Sequence, residues 1–186
     1  CCPEPGRIAE FCRAVRPEVM FGVPRVWEKF HAGVTAALAA DPEKARQFDE
    51  AVEAASPIAL RRSWDAATAE DDATWEFLDS VAFKAVREML GLDEIVMAIS
   101  GAAPIPGSLL MWFRAIGVPM SEVYGMSENT GAMTWTPERI KPGTVGPAMP
   151  GTELKLGDDG EVLCRGPHVF QGYLDAPDKT AEALSD

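Results

Sequence analysis

The sequence predicts an α/β fold, and three observations support this prediction. A short apolar segment at 94–99, a helical pattern at about 106–116 and a second apolar segment at 118–124 follow one another. Strand, helix and strand in this order favour parallel pairing with a right-handed crossover. Residues 41–91 are Ala-rich and charged, which predicts two or three helices, and after about 143 the helical pattern gives way to alternation.

The N-terminal region predicts two helices with a strand between them. Residues 5–15 place apolar side chains on one helical face, and residues 19–23 form an apolar run that predicts a buried strand. Pro24 suits the start of a helix, and apolar residues recur at helical spacing from 25 to 39.

Within 41–91, the clearest predicted helix runs from about Thr74 to Leu90, with Gly91 as its stop. The acidic run 70–72 is interpreted as a solvated linker and helix cap. The predicted inward stripe of the helix consists of Phe77, Leu78, Val81, Ala82, Ala85, Val86, Met89 and Leu90.

The C-terminal region predicts a β-hairpin followed by a short helix. Leu154 and Leu156 alternate with polar residues, 157–160 is a turn rich in Gly and Asp, and 161–165 returns as a strand. Residues 177–184 have a helical pattern.

Composition excludes several function classes. The net charge of −12 argues against a nucleic-acid partner and against polybasic docking on anionic lipid. The four cysteines have neither disulfide-framework nor zinc-site spacing, which favours reduced thiols and a cytoplasmic location. No apolar run approaches the roughly 20 residues that span a bilayer.

Three Gly-rich segments lie at the ends of predicted strands, where ligands bind in open α/β sheets. They are SGAAPIP (100–106), VYGMSENTG (123–131) and GEVLCRGPHVFQGY (160–173). The small residues of the first segment let the backbone approach a flat ligand. For the third segment, a turn-rich scaffold is the favoured interpretation.

The second segment carries the strongest chemical pattern. After a strand ending at Tyr124, Gly125 permits a sharp turn and close backbone approach. Ser127 can donate to a phosphate oxygen, and the Glu128 carboxylate suits Mg²⁺ bound to nucleotide phosphates. Tyr124 offers an aromatic face to a purine. An ordinary strand-to-helix connection remains the alternative.

The same segment begins like the nucleophile elbow of α/β-hydrolases, Gly-x-Ser-x-Gly. Asn129 stands at the last position of that motif, where Gly is required. A triad also needs a histidine, and the chain has only His31 and His168. The hydrolase interpretation is therefore disfavoured.

Together the three segments resemble the adenylate-forming superfamily of acyl-CoA synthetases, luciferases and peptide-synthetase adenylation domains. YGMSE resembles the motif Tyr-Gly-x-Thr/Ser-Glu, and the third segment resembles a motif that begins Gly-Glu and ends Gly-Tyr. VPRVWEKF (23–30) resembles a signature of long-chain fatty acyl-CoA synthetases, as does the helical insertion at about 31–90. The resemblance covers almost the whole chain.

The resemblance implies an incomplete mixed-sheet α/β sandwich domain with a helical insertion, followed by part of a small β-barrel lobe. Residues 1–142 would belong to the large AMP-binding domain, and 143–186 would begin the β-barrel subdomain. The implied reaction activates a fatty acid with ATP to an acyl-adenylate and pyrophosphate. CoA then takes the acyl group and AMP leaves; Mg²⁺ neutralises phosphate charge.

Matching positions imply residue roles. Ser127 would contact the α-phosphate, Glu128 would hold Mg²⁺, and these two are the candidate catalytic residues. Tyr124 would stack on adenine, while Gly125, Met126 and the residues near Gly131 would border the acyl tunnel. The adenine pocket would be lined by Gly101, Ala102, Ala103, Pro104, Glu122 and Val123.

Parts of the family pattern are not found in the chain. There is no Thr/Ser/Gly-rich phosphate loop, ribose-binding Asp or C-terminal catalytic Lys at a matching position. We therefore expect an internal fragment that is inactive by itself. The alternatives are a non-catalytic nucleotide-binding or interaction module of this fold, and a peptide-synthetase adenylation domain. Chain-length preference, oligomeric state and peripheral membrane contact stay open.

Overall fold

The computed structural model describes Cys2 and residues 4–184, and it confirms a mixed α/β fold. Four strands form the main sheet and two more form a separate hairpin. The helices are α1 (Ile8–Val15), α2 (Pro24–Leu38), α3 (Pro42–Ser63), α4 (Ala69–Leu78), α5 (Lys84–Leu90), α6 (Gly107–Ala115) and α7 (Pro177–Ala183). The strands are β1 (Val19–Gly22), β2 (Met97–Ser100), β3 (Met120–Met126), β4 (Gly131–Trp135), β5 (Glu153–Leu156) and β6 (Val162–Arg165).

The main sheet has the order β1-β2-β3-β4. Ala98 in β2 lies opposite Met20 on one side and Met120 on the other, and both pairings are parallel. The predicted strand–helix–strand crossover through α6 is thereby confirmed. β4 pairs antiparallel to β3 and was not predicted.

The C-terminal hairpin agrees with its prediction. β5 and β6 pair antiparallel, with Leu154 opposite Cys164. The turn between them is closed by the amide of Gly157, which donates to the carbonyl of Glu161 at 2.8 Å. A barrel lobe and a domain boundary near 142 stay predictions.

The core lies between the main sheet and the helices. Trp27 and Phe113 are fully buried, and their ring centroids lie 5.4 Å apart in an edge-to-face arrangement. The indole nitrogen of Trp27 donates to the Gly22 carbonyl at 3.0 Å, so its one polar group is satisfied. The bond connects the start of α2 to the end of β1, which lies only two residues before Pro24.

β1 differs from the predicted buried strand because it alternates. Met20 is buried, whereas Val19 and Phe21 are more than half exposed among the described residues. Successive side chains of a strand point to opposite faces of the sheet, so this alternation means that only one face of β1 is covered by other described residues.

The predicted stripe of the helix 74–90 is partly wrong. A π-helical turn at Asp79–Phe83 separates α4 from α5. Its i→i+5 bonding widens the helix and rotates the residues that follow. Phe83 is fully buried as a result, whereas Phe77 and Val81 are each 63% exposed.

The acidic run 70–72 is the first turn of α4, not a linker, because the helix begins at Ala69. Thr68 and Asp71 form a reciprocal capping box: the Thr68 hydroxyl accepts from the Asp71 amide at 3.1 Å, and the Asp71 carboxylate accepts from the Thr68 amide at 3.0 Å. Arg61 Nε also donates to Asp71, at 2.8 Å. Negative carboxylates near the N-terminus of a helix interact favourably with the helix dipole.

The helical region is fastened to the rest of the domain by side-chain bonds to backbone carbonyls. Trp64 donates to Ile140, 2.8 Å away, and Trp75 donates to Ala115, 2.9 Å away. In the described part of the chain, no helix is both long and apolar enough to cross a membrane.

Candidate active site

The YGMSE segment forms a tight β-turn region between two antiparallel strands. β3 continues through Met126, a 3₁₀ turn spans Ser127–Asn129, and β4 follows at once. The strand end at Tyr124 and the strand-to-helix alternative are therefore both wrong. The side chain of Asn129 is buried and accepts the Met126 amide at 2.8 Å, which fixes the turn.

Gly125 is required by the protein itself. A Cβ atom at this position would lie 1.7 Å from the carbonyl oxygen of Gly131. The register between β3 and β4 also shifts between Tyr124 and Gly125, as at a β-bulge. The close backbone approach predicted for Gly125 is thus an approach of β4, whatever ligand binds nearby.

A cavity of about 870 Å³ opens beside this turn. Its only hydroxyl side chains, among the described residues, are those of Ser127 and Thr130. The other lining residues are apolar or glycine: Phe21, Ile99, Ala102, Val123, Gly125, Met126, Gly131, Ala132, Trp135 and Met149. The arrangement is an open, mainly apolar pocket with two hydroxyl groups, which suits an amphiphilic ligand.

The structure brings only some of the predicted site residues to this cavity. The predicted residues that line it are Ala102, Val123, Gly125, Met126 and Ser127. The ones that do not are Gly101, Ala103, Pro104, Glu122, Tyr124 and Glu128. Side chains alternate across a strand, so Val123 faces the cavity while its neighbours Glu122 and Tyr124 face away.

The 100–106 loop lies against the end of β3. Gly101 is buried, and a Cβ there would meet Val123 Cγ1 at 2.6 Å. Ala102 adopts a left-handed conformation with φ +66, and Ala102, Ala103 and Pro104 are exposed. The close contact at Gly101 is therefore with β3, and the approach of this loop to a flat ligand stays a prediction.

A hydrogen bond from the loop to the Glu122 side chain holds the loop in place. Its carboxylate Oε1 accepts the amide of Ile105 at 3.1 Å. Burial raises the pKa of the Glu122 carboxyl, and the hydrogen bond from Ile105 partly opposes that shift. The side chain therefore supports the loop, a role that the sequence pattern did not reveal.

Glu128 is half-buried and is contacted by the third Gly-rich segment. Tyr173 Oη donates to Glu128 Oε1 at 2.6 Å, and the Phe170 amide donates to the Glu128 carbonyl at 2.7 Å. The hydrogen bond from Tyr173 lowers the pKa of Glu128, and the same bond raises the pKa of Tyr173. Sequence reasoning missed Tyr173, although the motif ends on it.

The rest of the third segment is divided between scaffold and site. Arg165 pairs with Glu153 across the hairpin at 2.5 Å, and both side chains are exposed. The Thr130 hydroxyl, in contrast, donates to the His168 carbonyl at 2.6 Å. The scaffold interpretation fits Arg165 but not residues 168–173, which contact the turn.

The residues present fit a metal that arrives with a nucleotide. No group of three or more His, Cys, Asp or Glu side chains that could hold a metal ion occurs in the described residues. Glu128 stands beside the exposed Ser127, and no cation pairs with it among the described side chains. One carboxylate plus substrate phosphates is the usual protein setting of Mg²⁺.

The model of the family described as AMP-binding enzyme matches residues 2–174 of the chain. The chain belongs to this family.

Among curated relatives, fadD11 of Mycobacterium tuberculosis, named as a fatty-acid–CoA ligase, is 40% identical over 91% of the chain. The long-chain-fatty-acid–CoA ligases ACSBG2 of Xenopus laevis and heimdall of Drosophila melanogaster are 33% and 34% identical over 97%. The chain spans 30%, 25% and 28% of these three relatives, so it matches less than a third of each.

Solved structures support the fold. The anthranilate CoA ligase AuaEII, in complex with anthranoyl-AMP, matches 96% of the chain with a TM-score of 0.55 and 15% identity. MatB of Rhodopseudomonas palustris matches 98% with a TM-score of 0.51 and 21% identity. The matched part amounts to 27% of the AuaEII chain and 28% of the MatB chain, less than a third of each.

Proposed function

We propose that the polypeptide carrying this chain is a long-chain fatty-acid–CoA ligase. The observation that carries the proposal is the apolar cavity of about 870 Å³ that begins at Ser127. A fatty acyl chain fills a mainly apolar pocket, while its carboxylate stays near the hydroxyl groups, where a nucleotide phosphate can meet it. The names of the similar ligases agree with this substrate class.

In the proposed reaction, the fatty carboxylate attacks the α-phosphorus of ATP and pyrophosphate leaves. CoA thiolate then attacks the acyl carbon of the adenylate and AMP leaves. Ser127 donates its hydroxyl to an α-phosphate oxygen, and the apolar lining of the cavity holds the acyl chain. The exposed Tyr124 ring and the 100–104 segment flank the adenine, and Ala102 of this segment also lines the cavity for the acyl chain.

Mg²⁺ bound to the ATP phosphates would supply charge neutralisation as pyrophosphate departs, and Glu128 is the residue that would hold it. Glu122 supports the proposed adenine site indirectly, because its carboxylate accepts the Ile105 amide and so fixes the 100–106 loop. We further propose that this chain by itself does not complete the reaction, since it corresponds to less than a third of the similar ligases.

Fatty-acid-dependent exchange of labelled pyrophosphate into ATP tests the proposal. The complete polypeptide should exchange with long-chain fatty acids and not with amino acids or aromatic acids. Exchange with amino acids alone would move the protein to the adenylation-domain class. Absence of both exchange and ATP binding would favour a non-catalytic module of this fold.

Glu128→Gln provides the residue-level test. The variant keeps the size of the side chain and loses its charge, so adenylation should fall by on the order of a hundredfold while fatty-acid binding changes little. Glu153→Gln is the matched control, because it removes the charge of an exposed carboxylate that forms an ion pair with the hairpin residue Arg165. Near-parental exchange by Glu128→Gln at the same Mg²⁺ concentration would contradict the assignment.

A further inference from the structure

Residues 168–173 are hydrogen-bonded to the turn that carries Glu128. Three hydrogen bonds join the two: Thr130 hydroxyl to His168 carbonyl, Phe170 amide to Glu128 carbonyl, and Tyr173 hydroxyl to Glu128 carboxylate. One of them holds the backbone of the turn, one holds the Thr130 side chain, and the third holds the Glu128 carboxylate. The partners are 38 to 45 residues apart in the chain, so the contact is tertiary.

Tyr173 is itself held in place. Its ring meets Phe170 edge-to-face at 4.8 Å, and its amide donates to the Thr180 hydroxyl at 2.9 Å. Gly172 adopts φ +147, and a Cβ there would lie 2.7 Å from Thr180 Cγ2. Packing, a hydrogen bond and a tight glycine contact therefore set the direction of the phenol before any ligand binds.

We propose that Tyr173 is a positioning residue that orients the Glu128 carboxylate toward the magnesium ion of bound ATP. The inference rests on the proposed function, in which Glu128 holds that ion. A half-buried Glu side chain still has several rotamers available, and a hydrogen bond to Oε1 from a fixed donor selects among them. Groups that hydrogen-bond to metal ligands commonly change metal affinity or activity by 10–100-fold when removed.

A purely structural tether is the competing role, and the two roles separate in what they change. A tether would affect thermal stability and ATP binding to the same extent with and without Mg²⁺. A positioning residue changes only the part of ATP affinity that depends on Mg²⁺, because the coupling between metal and nucleotide is a difference between two binding free energies.

The experiment measures ATP affinity of the complete polypeptide by calorimetry, once in EDTA and once in saturating Mg²⁺. Tyr173→Phe keeps the ring against Phe170 and removes only the hydroxyl. The ratio of the two affinities should fall by about 10–100-fold, while affinity in EDTA stays within about twofold. Ser80→Ala is the control, since the Ser80 hydroxyl also makes a short bond, 2.7 Å to the Phe77 carbonyl, in the helical region.

A double variant completes the test. Tyr173→Phe should have no further effect on the Mg²⁺-dependent ratio in a Glu128→Gln background, because the two residues act through one interaction. An unchanged ratio in Tyr173→Phe, or an equal loss of affinity with and without Mg²⁺, would overturn the inference. Lack of fatty-acid-dependent pyrophosphate exchange by the parental protein would instead overturn the proposed function, and the calorimetric ratio would still decide on Tyr173.

Discussion

The turn at residues 125–131 and the helical region at residues 69–90 are held by different means. In the turn, backbone atoms meet so closely that a Cβ on Gly125 would overlap the Gly131 carbonyl. In the helical region, buried rings such as Phe83 fill space between helices, and its outer side carries exposed apolar residues such as Phe77. Backbone contacts tolerate no added atom, whereas side-chain packing tolerates change on the outer face.

The same difference distinguishes the candidate site from the helical region that packs against the rest of the domain. The candidate nucleotide and acyl contacts lie on the turn and the 100–106 loop, whose shapes come from glycines, hydrogen bonds and the buried Glu122. The helical region reaches the rest of the domain through indole donors such as Trp75. We therefore expect substitutions in the turn to alter fold and site together, and those in the helical region to alter stability alone.

The largest effect is expected for Gly125→Ala. The new methyl group cannot be accommodated without separating β3 from β4, so the free energy of unfolding should fall by more than about 4 kcal/mol. Denaturant unfolding measures this loss. Gly33→Ala is the control, because Gly33 lies inside α2 with no atom within 4 Å of the added Cβ. It should stabilise the protein by about 0.5–1 kcal/mol; a similar loss in both variants would contradict the close contact.

The second effect compares two phenylalanines of the helical region. Phe83→Ala empties a fully buried site and should cost about 3–5 kcal/mol in the free energy of unfolding. Phe77→Ala removes a ring that is 63% exposed and should stay within about 0.5 kcal/mol. Equal losses would show that Phe77 and Phe83 share one buried face, in conflict with the π-helical turn between α4 and α5.

The smallest effect concerns the cap of α4. The Arg61 guanidinium and the Thr68 amide hold the pKa of Asp71 well below its usual range. A lowered folded-state pKa contributes stability above the unfolded pKa of about 3.9 and loses it as the pH falls further. The melting temperature of Asp71→Asn should therefore lie below that of the parental protein from pH 7 to pH 5, and the gap should narrow below pH 4. A gap that widens in acid would contradict this sign.

Periodicity predicted the elements of the fold better than their faces. The parallel pairing of β2 with β3, the hairpin β5–β6 and the helix α6 follow from local patterns and turn residues. The stripe on 74–90 failed because a regular α-helix was assumed, and an i→i+5 turn changes which residues face inward. β4 was missed because its residues, Gly131–Trp135, lack the strong alternation of a half-buried strand.

The candidate site was also predicted only in part, because motif order locates residues along the chain and does not show their tertiary contacts. Motif order located Ser127, Glu128 and the 100–106 loop at strand ends, and the structure places Ser127 and Ala102 on one cavity. Motif order did not show that Glu122 turns its side chain beneath the loop. It also did not show that Tyr173 reaches Glu128, because that contact depends on how the hairpin region folds back.

By itself, the sequence determined the α/β class, the family resemblance and the strand ends where a ligand would bind, because repeat spacing, glycines and motif order are local properties of the chain. The tertiary structure alone decided the inward face of α4–α5, the internal need for Gly125 and the bond from Tyr173 to Glu128. Each of these depends on atoms brought together by packing. The 2.6 Å contact of Tyr173 with Glu128 joins residues 45 positions apart, a distance over which no local pattern extends.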